Sequence, residues 1–205
     1  MVCHGVFSAL PGISRNCSWV GSERVLHPSY RGYEWSLDTF PDLHPEHVQV
    51  PNADNFLLDG LFFHGTRPSL VIFASGYGDT QEQMFSIAEF LHHAGFCVLT
   101  YNSRARATSG GKYVTLGARE QQDVVSLVSY AIGRRDVDAS RIGILGISMG
   151  GATTILLRRK IGIRAVVDDS GFSDAPSVIA ASSEHFASSR LSIRADNSRH
   201  RRSQS

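Results

Sequence analysis

The stretch Arg141-Ile142-Gly143-Ile144-Leu145-Gly146-Ile147-Ser148-Met149-Gly150-Gly151 decides how this chain folds. Arg141–Leu145 is an apolar run of strand length, and Gly150–Lys160 reads as a helix, so Gly146–Gly150 falls on a strand-to-helix turn. There the pattern G-x-S-x-G has a physical reason. A serine in a strained turn projects its hydroxyl above the sheet end, and glycines two residues to either side let backbone pass where a β-carbon would clash. The helix that follows aims free N–H groups and partial positive charge at an oxyanion formed there. Ser148 is therefore the candidate nucleophile of an acyl-transfer site. A nucleotide-binding turn fits poorly, because Gly143, Gly146, Gly150 and Gly151 give neither G-x-G-x-x-G nor a G-K-[ST] ending. A merely structural Gly-rich turn is the other alternative.

Outward from the turn, buried strands alternate with amphipathic helices. Ser69–Ala74 (SLVIFA), Cys97–Tyr101 (CVLTY) and Arg164–Val167 (RAVV) are continuous apolar runs, as strands covered on both faces require. Thr80–Ala94 carries Met84, Ile87, Ala88 and Leu91 at helical spacing, and Gly95 punctuates its end. Leu116–Gly133 reads as a helix with an apolar face of Val124, Leu127, Val128 and Ala131. Four such strands predict an α/β fold, a doubly wound, mostly parallel sheet with right-handed crossovers. Upstream, Glu46–Val50 and Phe56–His64 read as two short strands, with Asp59-Gly60 suggesting a tight turn. Residues 1–45 lack periodicity and read as an irregular arm, packed through Tyr30, Tyr33 and Trp35. Residues 182–205 contain eight Ser and five Arg and lose apolar periodicity. The expected organisation is thus an arm (1–45), a core (46–187) and a disordered basic tail (188–205).

Composition narrows the function. The chain has 205 residues, 42% of them apolar, and a net charge of +1, which argues against a nucleic-acid partner. Cys3, Cys17 and Cys97 form no C-x-x-C pair, so reduced thiols are expected and a metal site is not. No apolar run approaches the ~20 residues that cross a bilayer, and no secretory signal is legible, so a cytoplasmic location is the expectation.

Asp59-Gly60, Ser75-Gly76-Tyr77-Gly78, the loop Asn102–Gly111, the Ser148 pentapeptide with Gly151, and Val166–Asp174 together resemble the α/β-hydrolase superfamily. Within it the chain is most similar to the bacterial group related to serine aminopeptidases, dienelactone hydrolases and acyl-CoA thioesterases. The likeness spans residues 45–187. It implies Ser148 as nucleophile, the backbone N–H groups of Tyr77 and Met149 as oxyanion donors, a small-molecule acyl substrate and no cofactor. Two details depart from the pattern. The loop usually reads D-x-R-G-x-G-x-S, and here Asn102, Ala105 and Ala107 stand for its Asp and two Gly. Ser75 stands where a histidine often precedes the loop glycine.

The resemblance also implies an order of Ser, then acid, then His on later strands. The 57 residues after Ser148 show neither later strand, so the expectation is a hydrolase core incomplete at its C-terminal end. Asp168 and Asp169 are weak candidates for the acid, read in preference as surface loop acids, and His185 is a weak candidate for the base, read in preference as solvated. Asp174 reads as a helix N-cap, His92 and His93 as surface or capping residues, and His64 as the end of an early strand rather than a general base. The expected function is a serine hydrolase of esters, thioesters or amides working through a Ser148 acyl-enzyme. The alternative is a non-catalytic fragment or binding module.

Overall fold

A strand covered on both faces needs apolar side chains at successive positions, and in the computed structural model the runs quoted above meet that demand. The structure describes residues 26–27, 35–157 and 163–174. One sheet contains β1 (Glu46–Pro51), β2 (Leu57–Phe63), β3 (Leu70–Ala74), β4 (Cys97–Tyr101), β5 (Ile142–Ile147) and β6 (Ala165–Asp169). Their spatial order is β1-β2-β4-β3-β5-β6. Strands β4, β3, β5 and β6 are parallel, and β2 pairs antiparallel with both β1 and β4. The helices are α1 (Phe85–His93), α2 (Glu120–Ile132) and α3 (Met149–Leu157). The sheet and helices belong to the unit Met1–Phe172; of the unit Ser173–Ser205, only Ser173 and Asp174 are described. Among the described residues no helix is long and apolar enough to cross a membrane.

Two cores form because side chains alternate across a strand. Leu70, Ile72, Leu99 and Tyr101 face Val124, Leu127, Val128 and Ala131 of α2, joined by Leu157 of α3. The α2 residues recur at i, i+3, i+4 and i+7, which makes one helical face. On the other sheet face Phe63, Phe73 and Val98 meet Phe85 and Ala88 of α1. That core is closed by Phe40 and Leu43, with Phe40 edge-on to Phe85 at a centroid distance of 6.0 Å. Trp35, 43% exposed, lies edge-on to Phe40 at 6.5 Å, and Phe40 and Leu43 anchor the segment before β1 in that core. Tyr30, Tyr33 and the tail 188–205 lie outside the described residues.

Three expectations need correction. Asp59-Gly60 makes no tight turn; it lies inside β2, with Asp59 opposite Gln49 and Gly60 opposite both Val48 and Tyr101. The glycine serves close strand approach, since a β-carbon there would sit 2.7 Å from the Thr100 carbonyl oxygen. The helix expected from Leu116 begins at Glu120, because Leu116 and Gly117 have φ of 51° and 94°. The Glu120 carboxylate accepts hydrogen bonds from the amides of Thr115 (2.7 Å) and Gly117 (2.8 Å) and so closes the turn that precedes its own helix. The helix expected over Thr80–Ala94 divides into a 3₁₀ turn, Gln81–Met84, and α1. Gly95 does terminate it, at φ 88°.

Gly60→Ala is expected to lower stability by about 1–3 kcal/mol, because a backbone carbonyl on a neighbouring strand cannot move aside as a side-chain tip can. Urea unfolding monitored by circular dichroism checks this; an unchanged midpoint would mean that β2 and β4 separate freely.

Candidate active site

Strand β5 delivers the chain to Ser148, and α3 starts at the next residue. Ser148 adopts φ 53°, in the left-handed region that a β-carbon disfavours by roughly 1–2 kcal/mol. Its amide donates to the Asp169 carbonyl at 2.7 Å, and its carbonyl accepts from the Ala152 amide at 3.0 Å, so both ends of the strained residue are held. The flanking glycines are spatial necessities. A β-carbon on Gly146 would meet the Gly150 carbonyl group at 2.4 Å, and one on Gly150 would lie 1.9 Å from the Ala74 carbonyl oxygen and 2.9 Å from that of Ser75. The turn is therefore pressed onto the end of β3.

The loop after β3 lies alongside. A β-carbon on Gly76 would lie 3.7 Å from the Ile147 carbonyl oxygen and 2.6 Å from the Asp79 carboxylate. Tyr77 follows, half-buried, and burial raises its phenol above the ordinary value against the pull of Arg106. Met149, the first residue of α3, is 2% exposed.

The loop after β4 is fastened by buried charge. Arg104 is 3% exposed and binds Asp123 of α2 through two nitrogens, Nε at 3.0 Å and Nη2 at 2.7 Å. It also donates to Asp54 at 2.9 Å and to the Arg119 carbonyl at 2.9 Å, and lies over the Phe56 ring at 5.5 Å. Asn52 adds a hydrogen bond to Asp123. Burial pushes the Asp123 carboxyl up to about 6 despite Arg104. Asn102, standing where an aspartate is usual, still ties the loop. Its Oδ1 accepts from the Gln81 amide at 3.0 Å and its amide donates to the Asp59 carbonyl at 2.9 Å. Asp59 in turn accepts from Thr108 at 2.5 Å and pairs with His47 at 2.6 Å. The two alanines that replace glycines, Ala105 and Ala107, have φ of 55° and 41°. Both pay the left-handed penalty that glycine avoids.

The expected partners of Ser148 are placed as follows. Asp168 and Asp169 end β6 beside the turn and are exposed. The Asp168 carboxylate accepts the Gly171 amide at 2.9 Å, and that of Asp169 accepts the Ser170 hydroxyl at 2.8 Å. His185 lies outside the described residues, as does the helix that Asp174 was expected to cap. His64 is paired with Glu46 (3.2 Å) and Asp136 (3.1 Å) at the far end of the strands, and His93 with Asp42 at 3.5 Å. Among the described residues no group of His, Cys, Asp and Glu is arranged to hold a metal ion. The residues that sequence reasoning missed are Asp123 and Glu120. One signal was legible: both occupy the apolar face of α2, three residues apart, where a charge needs a buried partner.

This sheet order, the strained serine between β5 and α3, and the glycines beneath it define an α/β-hydrolase. The chain belongs to the X-Pro dipeptidyl-peptidase (S15) family, whose model matches residues 33–192. Among solved structures it is similar to the esterase Pf2001 of Pyrococcus furiosus, at 28% identity and a TM-score of 0.65, over 70% of this chain and 58% of that one. The α/β-hydrolase GrgF from Penicillium sp. sh18 shares the fold at 19% identity and a TM-score of 0.62, over 73% of this chain and 56% of that one. So does XC6422 from Xanthomonas campestris, described as a serine hydrolase without a lid, at 18% identity and a TM-score of 0.54, over 61% of this chain and 60% of that one. The chain thus spans under two thirds of the length of these relatives. No protein with a curated description matches it.

Two expectations follow for the loop after β4. Ala105→Gly and Ala107→Gly should each raise stability by about 0.5–1 kcal/mol, the relieved strain less the added freedom of the unfolded chain. Asp123→Asn should lower it by about 1–3 kcal/mol, because an amide NH2 replaces one of the two oxygens that accept from Arg104 and Asn52 and leaves a buried donor unsatisfied. Urea unfolding of the three variants reads both. The wild-type Asp123 carboxyl, raised from the ordinary aspartate range to about 6, takes up a proton on folding between those values. Its contribution to stability is therefore present in full at the acid side of that window and is lost as pH rises through about 6. Unfolding midpoints from pH 4 to 7 should show this downward component in the wild type and not in Asp123→Asn.

Proposed function

We propose that this chain carries the nucleophile and oxyanion elements of a serine hydrolase acting on an ester, thioester or amide. The observation that supports it most is the left-handed backbone of Ser148, φ 53°, between β5 and α3. Strain of this kind persists where the surroundings over-determine it and is characteristic of functional turns. In this reading Ser148 Oγ attacks the acyl carbon. The amides of Met149 and Tyr77 hold the oxyanion, one at the head of α3 and one in the loop pressed beside it. The C–O, C–S or C–N bond to the leaving group then breaks, giving an acyl-enzyme that water hydrolyses. Ester and amide bonds are those named for relatives, an esterase and a peptidase family, and the thioester comes from the resemblance read in the sequence.

Proton removal from Ser148 needs a base. His64 and His93 are paired elsewhere, and His185, the weak candidate read in the sequence, lies outside the described residues. A second reading, a binding module with an intact pocket and no turnover, draws support from the Asp168 and Asp169 carboxylates, both engaged locally.

The expected outcome is slow labelling by a fluorophosphonate probe that Ser148→Ala abolishes, with p-nitrophenyl acetate hydrolysis only slightly above background. Dismantled triads retain a residual ~10³–10⁴-fold rate over water, well below ordinary enzymes. No labelling at all would remove Ser148 as nucleophile. Rapid turnover lost in His185→Gln would establish His185 as the base and set the binding-module reading aside.

A further inference from the structure

Three features converge where β6 ends. The Asp168 Oδ1 accepts the Gly171 amide at 2.9 Å. The same oxygen sits over Gly151 in the first turn of α3, so close that a β-carbon on Gly151 would lie 1.9 Å from it. Ser170, at φ 60°, turns the chain back so that Gly171 itself packs on α3; a β-carbon there would lie 2.3 Å from Asp168 Oδ1 and 2.8 Å from the Ala152 nitrogen. The adjacent residue, Asp169, accepts the Ser148 amide through its carbonyl at 2.7 Å. The end of β6 is thus bolted to both the strained serine and the first turn of the helix behind it.

We propose that Asp168 is a positioning residue for the elbow: its carboxylate, seated between Gly151 and the Gly171 amide, holds the β6 turn against α3 and thereby fixes the backbone of Ser148. The inference rests on the reading of Ser148 as nucleophile. It differs from the role of triad acid, in which a carboxylate orients a histidine and its charge is essential. Here the oxygen acts as a hydrogen-bond acceptor of the right size beside the partial positive charge of a helix start. An amide oxygen of the same shape serves nearly as well.

The test compares Asp168→Ala and Asp168→Asn in the 205-residue chain. Because Asp168 is exposed, neither change threatens the core. Amide hydrogen exchange at Ser148 and Gly171 is read by NMR, and the fluorophosphonate labelling rate is read beside it. In Asp168→Ala both amides should exchange faster by on the order of tenfold, the loss of one charge-assisted hydrogen bond, and labelling should slow by a similar factor. Asp168→Asn should stay within about twofold of wild type in both. Unchanged exchange in Asp168→Ala would overturn the proposal. So would an Asn variant with wild-type exchange but labelling as poor as that of Ala, since that pattern assigns the charge to chemistry. If the wild type does not label, the hydrolase reading fails while the exchange rates still decide the positioning role.

Discussion

A β-carbon on Gly150 would lie 1.9 Å from the Ala74 carbonyl oxygen, and this closeness is the constraint around which the molecule is arranged. Helix α3 can lie across the end of β3 only if Gly150 has no side chain. The same approach forces Gly146 and Gly151 to be bare, because one faces the Gly150 carbonyl group and the other the Asp168 carboxylate. With the helix held so near the sheet, the residue between strand and helix has nowhere to turn except into the left-handed region. The strain at Ser148 is thus a product of packing, and the packing depends on three absent side chains.

The loop after β4 solves a related problem by another means. It carries two alanines in left-handed backbone. Buried charge holds it instead. Arg104 spans Asp123 on α2 and Asp54 ahead of β2, while Asn102 and Asp59 tie the loop to β2 and the 3₁₀ turn. Isolated, such a pair adds little to stability, since desolvation offsets most of the attraction. Its value here is geometric. The bidentate fork fixes the direction of Arg104, and with it the path of the residues around it.

The four parallel strands and the Ser148 turn were legible because each rests on a local pattern: an apolar run, a helical period, and glycines at fixed offsets. What escaped was set by contacts distant in sequence. Asp59-Gly60 has the composition of a turn, and only the neighbouring Thr100 carbonyl reveals why the glycine is there. Helix α2 began four residues later than its apolar spacing suggested, because Glu120 reaches back to Thr115 and Gly117 and holds them out of the helix. Arg104 was visible as part of a loop pattern, yet its partner Asp123 could not be paired with it from spacing alone. The reading of Tyr77 and Met149 as oxyanion donors depended on resemblance, because a backbone N–H leaves no mark in residue type.

The sheet order has a consequence for how the chain reaches this state. β3 lies between β4 and β5, so Leu70 must meet Ile142 after one intervening strand, β4, and two helices, α1 and α2, have been made. Contacts this distant close slowly, because the entropy of bringing the ends together is lost before any pairing compensates. β1 and β2 can zip as a local hairpin, but β2 then waits for β4, and β3 waits for β5. During synthesis, the middle of the sheet is therefore exposed along one edge until the residues up to Ile147 have left the ribosome. The segment that follows, with its strained serine, can take shape only after β5 is in place.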